Sequence, residues 1–265
     1  MDRLLADGID YNLPAPVINR GGWVVKWAKE PLTSANPTSK SSLSGLKHLL
    51  KIFSPYQAVI FDLDGVLAYT EPAIFRILKQ KVARYGIHLT GEDDRALFGL
   101  DYPDSARYLK SRYSIPESVD QFVDLLLKSV LERIENELVP APGGMDLVEN
   151  LALNGLPIGL ASNSPREYVR LVVKGLGLST YFPAPVARED VANGKPAPDP
   201  YLEACRRSGT DPTRSLAVED SPVGAQAALA AGMDCVIIGN VPPPALESRV
   251  VVYPSLFALK SALLA

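Results

Sequence analysis

The chain has 265 residues, of which 47% are hydrophobic and 22% charged, with a net charge of −3. That suits a globular protein with one sizeable core, or one core and a smaller module. It offers no basic field for nucleic acid, and no run of about 18 apolar residues exists to span a membrane.

The opening residues, MDRLLADGID, lack the basic-then-apolar layout of a signal peptide. Residues 1–55 hold no sustained period. They include a Ser/Thr/Asn/Pro-rich stretch at 33–44 and a short amphipathic piece, GLKHLLKIF, ended by Pro55. This region reads as an N-terminal extension, a partly disordered linker outside the main fold, with docking of a protein partner as its sharper role.

From Gln57 strands and helices alternate. Residues 57–63 (QAVIFDL), 156–162 (LPIGLAS), 215–220 (SLAVED) and 235–239 (CVIIG) are short, apolar and mostly β-branched. Helical stretches at 165–176 and 221–232 separate them, which is the signature of a parallel sheet with crossover helices. FPAPV at 182–186 is a weaker strand candidate. Between the first two strands, residues 72–139 read as entirely helical. The stretch 118–138 keeps Val119, Phe122, Val123, Leu126, Val130, Ile134 and Leu138 at helical spacing over about five turns. The fold class is therefore α/β, a Rossmann-like parallel sheet with helices on both faces plus an inserted all-helical cap. The division is 56–67 and 141–265 for the core and 68–140 for the cap, with the cap over the carboxyl edge where such sheets bind ligands.

The chemistry gathers at the strand ends. The first ends in Asp62 and Asp64, the second in Ser162 and Asn163, and a later one in Glu219 and Asp220; Lys195 lies in GKPAPD on a loop between them. Four neighbouring carboxylates cannot all stay ionised without a cation. Lys195 supplies one charge and a hard divalent ion would supply two, with oxygen-only ligands favouring Mg²⁺ over Zn²⁺. Ser162, Asn163 and Ser164 lead into a helix at Pro165, whose free amides suit phosphate. Gly65 lets backbone amides approach the same group. Together these make a phosphoryl-transfer layout around a carboxylate nucleophile. Gly194-Lys195 is not a P-loop, because Glu189 stands at its first glycine position and Pro196 follows the lysine. His48 and His88 are isolated and read as surface or capping residues. Cys205 and Cys235 have no metal-type spacing and read as reduced core thiols of a cytoplasmic protein.

The segment from about Gln57 to Gly239 resembles the haloacid dehalogenase (HAD) superfamily, in the helical-cap branch that holds β-phosphoglucomutase and many small-metabolite phosphatases. DLDGVL (62–67), ASNS (161–164), GKPAPDPYL (194–202) and EDSPVGAQAALAAGM (219–233) fit its four motifs in order. The resemblance implies that Asp62 forms an aspartyl-phosphate and that Asp64 acts as acid and then base. It implies that Gly65, Ser162, Asn163 and Lys195 hold the phosphoryl group. Asp62, the backbone carbonyl of Asp64, and Asp220 with Glu219 nearby would hold Mg²⁺. Asp64, which the dehalogenase and phosphonatase branches lack, favours phosphate esters. The substrate implied is a small phosphorylated metabolite, a sugar phosphate among the options. The alternatives are a phosphosugar mutase and a non-catalytic binding protein on the same scaffold.

The stretch AYTEPAI departs from the mutase pattern, with Tyr69 at the usual Asp position and Ile74 at the usual His position. Tyr102 stands where the mutase cap loop places an Arg. Hydrolysis is therefore favoured over mutase chemistry. Junctions near Gly65 and Gly143-Gly144 are expected to let the cap open and close. Loop 99–105 and the helix from Pro72 are expected to select the substrate.

Overall fold

The computed structural model describes residues 56–97, 100–239, 246 and 248–263. The extension 1–55, with its linker, its amphipathic piece, its docking role and His48, lies outside the described residues.

One sheet of five parallel strands forms the centre: β1 (Ala58–Phe61), β2 (Ile158–Leu160), β3 (Ser215–Glu219), β4 (Asp234–Ile238) and β5 (Val251–Tyr253), in the order β2-β1-β3-β4-β5. Alternation along β1 divides the core. Val59 and Phe61 face a cluster with α5 (Gly144–Leu153), α6 (Arg166–Gly175) and α9 (Leu256–Leu263). Ala58 and Ile60 face a second cluster with α7 (Asp199–Ser208) and α8 (Pro222–Ala230). β1 is buried on both faces, which is why it reads as a continuous apolar run. β5 and α9 follow the last strand expected from sequence. Val251–Tyr253 is too short for a period-2 pattern to declare itself.

The strand order puts the switch point at β1. The chain leaves β1 for β2 on one side and returns to β3 on the other, so ligand-binding side chains converge at the carboxyl ends of these three strands. Register sets them level: Phe61 pairs with Leu160 and with Val218. Asp62 and Glu219, the next residues, therefore leave the sheet side by side. Residues 182–186 form no strand. Val186 makes a single bridge to Ala161, because Pro183 and Pro185 cannot donate to a ladder.

Between β1 and α5 come α1 (Glu71–Ala83), α2 (Gly91–Leu97), α3 (Tyr102–Arg112) and α4 (Val119–Leu131). They share a cluster of their own, including Leu78, Val82, Leu109, Phe122 and Leu126. Asp93 is buried among them and accepts hydrogen bonds from Thr90, Tyr108 and Tyr113. Burial opposes its charge, but these bonds outweigh it and hold the carboxyl well below the usual range. The stretch 118–138 is not one helix. The α-helix stops at Leu131 and a 3₁₀ turn, Ile134–Asn136, follows. Ile134 is still fully buried, so the apolar spacing outlasts the α-helical backbone and could not mark its end.

The two passages between sheet and helices lie side by side. Tyr69 N–H donates to the Val139 carbonyl at 2.8 Å, and Ala141 N–H to the Leu67 carbonyl at 2.9 Å, with an antiparallel bridge between Ala68 and Pro140. Among the described residues no helix is long and apolar enough to cross a membrane. Phe122 is wholly buried and stacks edge-on against Tyr85. Phe122→Ala is expected to lower the unfolding free energy by about 3–5 kcal/mol, read by chemical denaturation.

Candidate active site

β1 ends at Phe61, and the chain turns at once: Gly65 N–H donates to the Ala68 carbonyl, and Leu67 and Ala68 donate to Leu63. Gly65 holds φ +80°, and a methyl group there would overlap the Asp220 carboxylate. Only glycine satisfies both constraints. This turn presents Asp62 and Asp64 to different surroundings.

Asp62 is buried against Lys195, whose ammonium donates to Asp62 Oδ1 at 2.5 Å and to Glu219 Oε1 at 2.6 Å. Burial pushes the Asp62 carboxyl up to about 7; Lys195 pulls against that shift, and Glu219 and Asp64 add to it. Burial would lower Lys195, but the two carboxylates outweigh it and keep it cationic. Asp220 is pushed well above its ordinary value, by burial first and then by Glu219 and Asp62.

The structure brings Asp62, Glu219 and Asp220 together, with ligand atoms all within 4.8 Å of one another. Their fit to a hard cation is unequal. Glu219 is fully buried and engaged on both oxygens: Oε1 also accepts from Tyr201 at 2.7 Å, and Oε2 faces Asp220 N–H and the Ser221 N–H and hydroxyl. Asp62 and Asp220 fit a Mg²⁺ ion better, since Asp220 takes no side-chain hydrogen bond among the described residues and Gly65 leaves room beside it. A methyl group at Gly224, in the first turn of α8, would likewise overlap Glu219. Both glycines make room for a carboxylate.

Asp64 stands apart from that trio. Its Oδ1 accepts from Thr70 at 2.5 Å and Tyr168 at 2.7 Å, and its Oδ2 accepts from Ser164 at 2.7 Å. Its side chain therefore faces a ring of hydroxyls. Ser162 is buried, and its hydroxyl accepts from Ser164 N–H. The Asn163 amide is occupied on both ends by the lysine loop: Oδ1 accepts Lys195 N–H at 2.7 Å and Nδ2 donates to the Lys195 carbonyl at 3.1 Å. Asn163 thus sets the position of Lys195.

Sequence reasoning missed Thr70, Tyr168 and Tyr201, and it read Ser164 only as part of the helix start, not as a donor to Asp64. A tyrosine on the apolar face of a helix, as at Tyr168, signals a buried hydroxyl that needs a partner. Tyr69 is 37% exposed and does not line the cavity over these residues. Cys205 and Cys235 are free and buried, and His88 is exposed.

The sequence profile of haloacid dehalogenase-like hydrolases matches residues 59–238. The chain belongs to this family. This HAD-like hydrolase is 31% identical over 188 residues to the bifunctional riboflavin kinase/FMN phosphatase of Arabidopsis thaliana, covering 69% of this chain and 48% of that longer protein. It is 30% identical to the phosphorylated carbohydrates phosphatase of Thermotoga maritima, covering 67% of this chain and 82% of the relative. A solved HAD family hydrolase from Deinococcus radiodurans, with bound phosphate and sodium, aligns with a TM-score of 0.61 at 27% identity over 79% of this chain and 96% of that one. With phosphatases among its relatives, the HAD-like chain is a phosphoric monoester hydrolase.

Gly224→Ala is expected to displace Glu219 and with it Lys195. Turnover should fall at least about tenfold while far-UV circular dichroism stays unchanged.

Proposed function

We propose that the protein hydrolyses a small phosphorylated metabolite through an aspartyl-phosphate on Asp62. The observation that carries this reading is the Lys195 ammonium shared by Asp62 and Glu219 at the carboxyl edge of the sheet, with Asp220 beside it. Lys195 neutralises the approach of a dianionic phosphoryl group to an anionic nucleophile. An Asp62 oxygen attacks phosphorus, the ester P–O bond breaks, and Asp64 protonates the departing alkoxide. Asp64 then accepts a proton from the water that attacks the aspartyl-phosphate, releasing inorganic phosphate and restoring the Asp62 carboxylate. The Ser162 hydroxyl and the backbone N–H groups around Gly65 and Asn163 receive phosphoryl oxygens.

Asp62, Asp220 and the backbone carbonyl of Asp64 would hold Mg²⁺, which supplies positive charge against the phosphoryl oxygens. Glu219 supports this set through Lys195 and Ser221. The cap spans 68–140, with the paired passages at 67–69 and 139–141 as its joint to the core, and excludes water when closed. A cytoplasmic location is supported by the two unpaired buried thiols, Cys205 and Cys235.

Phosphate release from a panel of sugar and other small-metabolite phosphates tests the reading. Release should require Mg²⁺, stop with EDTA and fall by at least about a thousandfold in Asp62→Asn; full activity in that variant would refute it. The proton on Asp62 competes with the metal. Mg²⁺ affinity, measured by calorimetry, should therefore rise with pH through the region around 7, and the upward-shifted Asp220 carries that rise further.

A further inference from the structure

The cavity above the reacting carboxylates encloses about 350 Å³, within the range of small-molecule sites. Asp62, Asp64, Ser162, Lys195 and Asp220 line its floor. Its roof is largely apolar, with Ile74, Leu97, Leu100 and Leu126 from the helical segment. Polar residues interrupt that roof: Thr70 donates to Asp64, Asp101 caps its own helix and Ser105 lies one turn on, which leaves Glu71 and Tyr102 with no role in the chemistry above.

Tyr102 lines the cavity, and its ring packs against both the sheet-side cluster and the helical cluster. Its hydroxyl is buried and has no hydrogen-bond partner among the described residues. Glu71 lines the same cavity from the first turn of α1 and takes no side-chain hydrogen bond among the described residues. An acid in a first helical turn is ordinarily favourable, but a solvent-facing one would serve as well. Glu71 is instead half-buried beside a second carboxylate, Asp64, and both burial and that neighbour oppose its charge. Both features cost stability and answer no structural need. Among the described residues, Lys195 is the only cation lining the cavity, and it is already shared by Asp62 and Glu219.

We propose that Glu71 and Tyr102 form the leaving-group subsite, accepting hydrogen bonds from hydroxyl or amino groups of an uncharged or cationic alcohol and rejecting esters that carry a second anion. A carboxylate or second phosphate in this roof would face Glu71 and lack a described cation to pair with. The apolar walls would take the carbon face of the same alcohol. This inference rests on the phosphatase reading and names its substrate class.

The test uses two pairs of open-chain esters that differ by one carboxylate: glycerol 3-phosphate against 3-phosphoglycerate, and glucitol 6-phosphate against 6-phosphogluconate. p-Nitrophenyl phosphate reports on the reacting groups alone. In each pair the uncharged member should have the higher kcat/KM by at least about tenfold. Glu71→Gln should narrow both ratios several-fold, and Tyr102→Phe should raise KM for the uncharged members more than it lowers kcat. Equal ratios, a preference for the carboxylates, or ratios indifferent to Glu71→Gln would overturn the subsite. If no ester is turned over, the phosphatase reading fails on its own. Calorimetric binding of the same pairs then decides the subsite: tenfold tighter binding of the uncharged members upholds it, and equal binding overturns it.

Discussion

The site depends on one buried cation. Lys195 reaches two carboxylates, Asp62 and Glu219, that the register of β1 and β3 forces to emerge next to each other. Without it, two acids would sit desolvated and unpaired, at a cost of several kcal/mol. The surroundings fix the lysine from several directions. Asn163 grips its backbone at both N–H and carbonyl, Tyr201 shares its Glu219 partner, and the Tyr201 ring lies 4.8 Å from the ammonium. One ammonium cannot balance Asp62, Glu219 and Asp220 all ionised, and with burial this raises the proton affinity of Asp62 and Asp220. A further cation would displace those protons and make the cluster a fit place for a phosphoryl group.

The two acids of DLDG are one residue apart, yet their environments diverge. Asp62 faces charge and no hydroxyl donor among the described residues; Asp64 faces three hydroxyls, from Thr70, Ser164 and Tyr168. Alternation along an extended chain would put positions 62 and 64 on one face; the turn that starts straight after β1, held by Gly65, is what separates their side chains. The division of labour we propose, between a nucleophile and a proton carrier, thus has two different environments in the polypeptide to rest on.

Much of this was legible in the sequence because it rests on local rules. The apolar run of β1 ending in two acids, the proline and glycine that bound the helices, and the parallel alternation all announce themselves within short windows. What escaped depends on long-range pairing. Tyr168 meets Asp64 across 104 positions and Asn163 meets Lys195 across 32, and neither partner is named by any spacing. Asn163 and Glu219 read as a phosphate donor and a metal neighbour; that their side chains also hold Lys195 is something only side-chain directions reveal. The end of α4 was hidden for the opposite reason, since Ile134 keeps the helical rhythm after the helix has stopped.

The passages at 67–69 and 139–141 are hydrogen-bonded to each other, so the intervening helices leave and re-enter the sheet at nearly one point. To the core, that long insertion looks like a short loop whose ends are already joined. Because closure entropy grows only with the logarithm of loop length, lengthening or shortening it changes core stability little. The segment above the cavity is thereby free to diverge in sequence and size while the catalytic floor stays constant. One chemistry can be handed to many substrates by exchanging what lies between two adjacent peptide bonds.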